Sequence, residues 1–577
     1  MMPTRLQNSI RATMLAAAAG LCCSFAAADT PEALARVAPD APLIVSIGDV
    51  GAFFAQAESL TAAIQQDEAA AGIAEARRLF GMPGVDTDGS AALVFNSLDL
   101  EGDTPPMVAL IPVEDYNQLV TELGGTGEGT ELLQFQGEDV HIRDLGDGFA
   151  AIAPQRDLLD AFQAVENAGD AHSAVVGSTG RDLLEDHTVV VIADVAAFGP
   201  ALLEGWEESQ QGMRMMGQMT GQGEQIDQQI ETVTLLLNSF ARDGQRGMLG
   251  LSAGDSGISV EAAASFKEGS EIAGFFQDSG EAANLAERLP GGPYLFAMAM
   301  DTSSDGAQRL LSNASNLGGN QMPGLDFSQF FEGANGFATV VGMNPAGIMG
   351  GMFVNTTAIM DVDDADTFIN TYGDSLRAMN DQTANGVTTQ TQFAETPQQI
   401  AGVDAYRWQV KMLPDLDTPG AQQMQMMMPM LFGPTGGPSG YLAAASNDTV
   451  VMTYSTNSSA VSNAVKAARE GGTLASDMLF RQQAERLHEE AVMVAYVDAG
   501  SILRTVLPFA AMFAGPVDVE VPEAVTPIAM SMAADDGSMT FRTVVPTDVI
   551  DLFAQLGEAF EGMNEGNDFD DGGDPQF

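Results

Sequence analysis

The chain has 577 residues, 45% of them hydrophobic and 18% charged, and its 79 Asp and Glu against 23 Lys and Arg leave a formal net charge of −56. Such a composition can fill large apolar cores, while the charge sets the chain against nucleic acid and anionic membrane surfaces, which a polyanion repels. Both cysteines, Cys22 and Cys23, lie near the N-terminus, so the rest of the chain has none for a disulfide, a thiol nucleophile or a cysteine zinc site.

Residues 1–28 read as a secretory signal. Arg5 and Arg11 form the positive region, residues 14–21 the apolar region, and Ala26-Ala27-Ala28 ahead of Asp29 the small-residue cleavage site. Ala19-Gly20-Leu21 before Cys22 does not match a lipobox. A soluble protein exported to the periplasm or beyond is therefore expected over a lipid-anchored one. No later apolar stretch has membrane-spanning length.

The first predicted strand, Leu43-Ile44-Val45-Ser46-Ile47, ends at Asp49 and leads into small and apolar residues at helical spacing. The same unit recurs at 189–192 ending at Asp194, at 294–300 ending at Asp301 and at 492–497 ending at Asp498. An Asp in that place is expected to cap the helix, accepting from its first free N–H groups for about 1 kcal/mol.

Next comes Met82-Pro83-Gly84-Val85-Asp86, which returns as Met322-Pro323-Gly324-Leu325-Asp326. Other segments return with it. The apolar run 107–111 before Glu114-Asp115 matches 356–360 before Asp363-Asp364, and the strand at 149–152 matches that at 450–454. A hairpin turning at Asp255-Ser256-Gly257 matches one turning at Asp535-Asp536-Gly537, which pairs Ser252 with Ser531. The chain is thus expected to be α+β, two tandem homologous domains with mainly antiparallel sheets covered by helices. The expected bounds are 29–285 and 286–556, followed by an acidic disordered tail over 557–577. Spacing between the repeats places inserts at 207–231 and 413–440, both rich in Gln, Gly and Met.

Several motifs invite a chemical reading. Gly250-Leu251-Ser252-Ala253-Gly254 matches a nucleophile elbow, but the pattern predicts another strand after the serine where the elbow needs a helix. Asp86-Thr87-Asp88-Gly89 begins like a calcium loop and lacks the later ligands, so a turn is expected. His141, His172, His187 and His488 include no pair at zinc-ligand spacing. No catalytic, cofactor-binding or dedicated metal residues are expected. Met213, Met215, Met216 and Met219 in one insert, and Met424, Met426, Met427, Met428 and Met430 in the other, are candidates for helix packing, for a hydrophobic contact surface or for Cu(I) binding. Residues 502–517 read as a buried helix pair broken at Pro508.

Ala38-Pro39-Asp40-Ala41-Pro42 before the first strand, the Gly-Val-Asp turn and the repeated strand-Asp-helix units resemble a group of uncharacterised exported bacterial proteins with two tandem halves. The resemblance implies no assigned activity and transfers no site residues. The expectation is a non-enzymatic exported protein with a binding or scaffolding role, taking a hydrophobic ligand or a protein partner and associating weakly with divalent cations through its acidic surface. Soft-metal handling and a divergent hydrolase with a site between the repeats are the alternatives.

Overall fold

The computed structural model describes residues 30–63, 72–74, 77–78, 80–96, 106–135, 138–174, 176–220, 223–254, 256–309, 333–384, 386–415, 417, 421–514 and 519–565. The signal segment with Ala28 and Asp29, and the second repeat pentapeptide 322–326, lie outside the described residues. The chain divides into two compact units. One comprises Met1–Gly217, Ile226–Asp278 and Ala534–Val544; the other comprises Gln218–Gln225, Ser279–Ala533 and Val545–Phe577.

The first unit is built on β1 (Leu43–Ile47), β2 (Ala91–Phe95), β3 (Met107–Pro112), β4 (Glu131–Phe135), β5 (Glu138–Gly146), β6 (Phe149–Ala153), β7 (Val189–Asp194), β8 (Gly244–Gly254) and β9 (Gly257–Phe266). Every pairing is antiparallel, in the order β4-β5-β6-β3-β2-β1-β7-β8-β9. Alternation along β1 sends its side chains to two cores. Ile44 joins Leu110, Leu159, Leu183 and Ile192, while Val45 and Ile47 pack with Phe53 and Phe54 of the helix Val50–Ala63. The sheet is therefore apolar on both faces.

The second unit contains β10 (Tyr294–Asp301), β11 (Ala334–Gly342), β12 (Thr356–Val362), β13 (Gln382–Ala384), β14 (Val387–Phe393), β15 (Gln398–Ile400), β16 (Val403–Pro414), β17 (Ser439–Ala444), β18 (Thr449–Thr453), β19 (Ala491–Val497) and β20 (Ile528–Asp535). The antiparallel order is β14-β16-β17-β18-β12-β11-β10-β19-β20. Phe368, Ile369, Tyr372 and Leu376 of the helix Ala365–Ala378 pack with Trp408, Val410, Leu442 and Met452 of this sheet. Sheets of antiparallel strands with helices against them make the protein α+β.

The last strand, β21 (Ser538–Val545), follows a turn at Asp536 (φ 45°) and Gly537 (φ 78°). Two consecutive positive φ values match the two-residue turns that close right-twisted hairpins. Residues Ala534–Val544 count with the first unit, where β21 pairs with β9.

Three of the four expected caps are made. Asp49, Asp194 and Asp498 each accept from the N–H three residues on, in Ala52, Ala197 and Ser501. Asp301 does not. Strand pairing runs past it, with Thr302 N–H on the Asn335 carbonyl, so the helix starts later and Ser304 caps it through Ala307 N–H. Asp301 instead receives Ser303 and Glu281 N–H. Two further expectations need correction. The helix Thr547–Glu565 covers the first nine residues of the expected disordered tail, and 566–577 lie outside the described residues. Residues Ala499–Ala514 form one helix through Pro508 rather than a broken pair.

Candidate functional site

The second unit holds a cleft of about 580 Å³ lined by Arg377, Asn380, Arg407, Gln409 and the chain 391–395. Its frame is the pairing of β14 with β16, which sets Gln390 opposite Lys411, Gln392 opposite Gln409 and Phe393 opposite Trp408. The helix Ala365–Ala378 closes one side. It begins at Asp364, whose carboxylate accepts Thr367 N–H at 2.7 Å and is held below the usual carboxylate range by the Thr367 hydroxyl and then by that N–H. Its end is tied to β14, because Thr391 Oγ1 donates to the Leu376 carbonyl and Asn380 Oδ1 accepts Thr391 N–H at 2.9 Å.

That placement fixes Arg377 in the helix's last turn. Its Nη1 donates to Asp374 Oδ1 at 2.6 Å, and its guanidinium carbon lies 5.4 Å from the centre of the Phe393 ring. Phe393 is held in turn by stacking on Tyr406, with centroids 5.7 Å apart and planes 7° off parallel. The helix can approach that ring only because position 373 is glycine; a Cβ there would lie 2.7 Å from it. Trp408 forms the rigid base, meeting Tyr372 and Tyr454 edge to face. Burial pushes the Tyr454 phenol up to about 12 and the Tyr372 phenol well above its ordinary value, so both stay neutral.

Arg407 is exposed on β16 and, among the described residues, has no ion pair. Arg407, Gln409 and Lys411 alternate with buried Trp408 and Val410, so they share one face of the strand. The cleft lining thus spans both faces of the β14–β16 pair, with Arg377 on the side of Phe393 and Trp408, and Gln392, Arg407 and Gln409 on the other. Such groups can bind and orient a ligand through charge-assisted hydrogen bonds.

A second polar cluster lies in the first unit, away from solvent. His187 Nε2 stands 3.2 Å from Glu261 Oε2, and both side chains are almost fully buried. Arg542 of β21 donates to the same oxygen from Nε at 2.7 Å. Gly250 pairs with Glu261 across β8 and β9, and a Cβ on Gly250 would meet Leu183 and the His187 ring within 2.4 Å. The first glycine of the G-x-S-x-G motif is therefore there to admit a histidine. Ser252 is followed by the strand β9 and not by a helix, so the elbow geometry is missing. Nearby, buried His172 accepts from Arg246 at Nδ1 and donates from Nε2 to the Val37 carbonyl. Desolvation, with Arg246 beside it, lowers its pKa.

The described methionines of the two candidate groups differ in exposure. Met213 (half-buried) and Met215 (exposed) lie on the helix Val195–Thr220, which also carries Met216 and Met219. On the helix Ala421–Phe432, which also carries Met424, Met426 and Met427 are exposed, Met430 is half-buried and Met428 is buried in the core. The Asp86 turn is local, with Asp86 Oδ1 accepting Asp88 N–H. Among the described residues, no three His, Cys, Asp or Glu side chains cluster as a metal site, and no helix is long and apolar enough to cross a membrane.

Compared with protein families, with curated proteins and with solved structures, the chain finds no match.

Motif searching passed over the cleft because its residues form no motif. Its lining comes from a helix end at Arg377 and from two paired strands some 15 to 30 positions further on. The available signal was scarcity. The chain carries 23 cations against 79 carboxylates.

Proposed function

We propose that the protein is an exported, non-enzymatic binding protein that arose by duplication of one α+β unit and holds a small ligand in the cleft of its second unit. The cleft carries this reading. Its volume falls within the range of small-molecule sites, and both aromatic and polar residues line it. The duplication is supported by the shared strand order, β3-β2-β1-β7-β8 in one unit and β12-β11-β10-β19-β20 in the other. Export is supported by the N-terminal signal pattern. The test is native mass spectrometry of mature protein purified from the envelope of its own cells, beside the variant Gln392→Trp, which plugs the cleft. A small molecule bound to the wild type and missing from the variant is expected. Full retention by the variant would move the site elsewhere, and turnover of an ester or peptide panel would overturn the non-enzymatic reading.

A further inference from the structure

We infer that β21 is a clasp, a strand brought in by the C-terminal part of the chain to close the β9 edge of the first unit, and that the ion pair of Arg542 with Glu261 is its key. Residues Ala534–Val544 count with the first unit, while the chain up to Ala533 and again from Val545 counts with the second. In the first unit β9 has β8 on one side, and β21 takes the other. The start of the segment is fastened as well. Asp536 N–H donates to the Gln277 carbonyl at 3.3 Å, and Gly537 N–H to the Phe276 carbonyl at 2.8 Å. A strand edge without such cover is a template for pairing with another copy of the chain.

The side chain of Glu261 is 2% exposed, and its Oε2 accepts from Arg542 Nε at 2.7 Å and Nη2 at 2.5 Å, across 281 positions of sequence. A buried carboxylate that loses its cation is left as an uncompensated charge, so β21 cannot leave without a penalty at Glu261. His187 Nε2, at 3.2 Å from the same oxygen, is a longer and single contact. The surroundings are acidic. Burial raises the Asp182 carboxyl above its usual range, Asp186 and Glu261 push it further, and Arg181 and Arg542 oppose them. Arg542 thus carries a positive charge to a place that holds three carboxylates. The repeat explains why this strand fits. Glu261 is the fifth residue of β9 and Arg542 the fifth of β21, each following the turn of one of the two matching hairpin sequences. Equivalent positions therefore carry opposite charges. Two β9 strands from two copies, paired in the same way, would set Glu261 against Glu261, and like charges facing each other across strands are unfavourable.

Hydrogen exchange of the full chain, read by mass spectrometry, tests the clasp. Arg542→Gln is expected to lose protection by about tenfold or more in peptides covering 538–544, with peptides covering β1 unchanged. The same variant should associate as its concentration rises, as seen by light scattering, because the β9 edge is then open. Arg542→Lys keeps the charge without the fork and should lose less protection. Where Glu261→Gln has already removed the carboxylate, adding Arg542→Gln should change exchange in β21 by under about twofold. Unaltered protection of 538–544 in Arg542→Gln overturns the clasp. Equal loss in β1 and β21 overturns it too, since the pair is then an ordinary part of the core. Full additivity of the two Gln variants overturns the pairing with Glu261 as its key. Should Arg542→Gln fail to fold, Arg542→Lys carries the same comparison: loss confined to β21 supports the clasp, and loss shared with β1 overturns it.

Discussion

The ring of His187 occupies the space above Gly250, with its Cδ2 2.4 Å from where a Cβ would stand. In the second unit the corresponding space is treated differently. Val190 and Val494 each stand four residues before the Asp of a strand-Asp unit; Val190 faces Gly250 and Val494 faces Ser531. Strand register thus sets Ser531 beside Gly250, two residues away from the Ser252 that sequence spacing suggests. His488 Nδ1 and Ser531 Oγ are hydrogen-bonded at 2.8 Å. One unit accommodates its histidine with a missing side chain, the other with a hydrogen bond.

Gly250→Ala should therefore be costly for its size. The new methyl would press on His187 and Leu183, and overpacking of this kind costs about 1–3 kcal/mol. Ser531→Ala should cost about 1–3 kcal/mol, the worth of its two hydrogen bonds to the His488 ring and backbone N–H. Urea denaturation of both variants measures this. Equal, negligible losses would mean neither histidine is held as described.

The burial of His172 gives a pH dependence with a definite sign. Desolvation and the neighbouring Arg246 lower its pKa, against the pull of the Val37 carbonyl. The folded state thus resists a proton that the unfolded chain accepts below about 6.5. The contribution is present above that pH and is lost as pH falls toward the lowered value. His172→Gln keeps a donor for Val37 and an acceptor for Arg246 but does not titrate. Its melting temperature should fall less than the wild type's between pH 7 and pH 5; parallel curves would show that His172 protonates freely.

Local physics explains what the sequence made legible. Strand alternation and capping depend on neighbours within a turn or two, so β1, β7, β10 and β19 could be anticipated with the caps at Asp49, Asp194 and Asp498. Asp301 escaped because a distant carbonyl, that of Asn335, prolongs its strand. The cleft escaped for the same reason. Phe393 meets Trp408 through pairing, and Arg377 reaches Phe393 through helix packing, and neither relation leaves a periodic trace.

The two kinds of Asp can be told apart by mutation. Asp498→Ala removes a cap bonded to Ser501 N–H and should cost about 1 kcal/mol. Ser304→Ala should cost as much at the helix after β10, where Asp301 is not the cap. Chemical denaturation of the two variants checks this, and a harmless Ser304→Ala would return the capping role to Asp301.

Residues 413–440 look dispensable by spacing between the repeats, but they include part of a core. Met428 and Phe432 are buried with Phe368, Trp408 and Val410, and Phe432 meets Phe353 at 5.9 Å. The segment also carries Ser439 and Gly440 of β17, which pair with Gln409 and Trp408 beneath the cleft. Deleting it should abolish cooperative unfolding of the second unit rather than merely weaken ligand capture. Single substitutions separate the parts: Met428→Ala and Phe432→Ala should each cost about 2–5 kcal/mol, whereas Met426→Ala and Met427→Ala, on the exposed side, should stay within about 0.5 kcal/mol. Calorimetry of the four variants decides it, and a cooperative, wild-type-like transition in the deletion would show that this helix is a detachable cover.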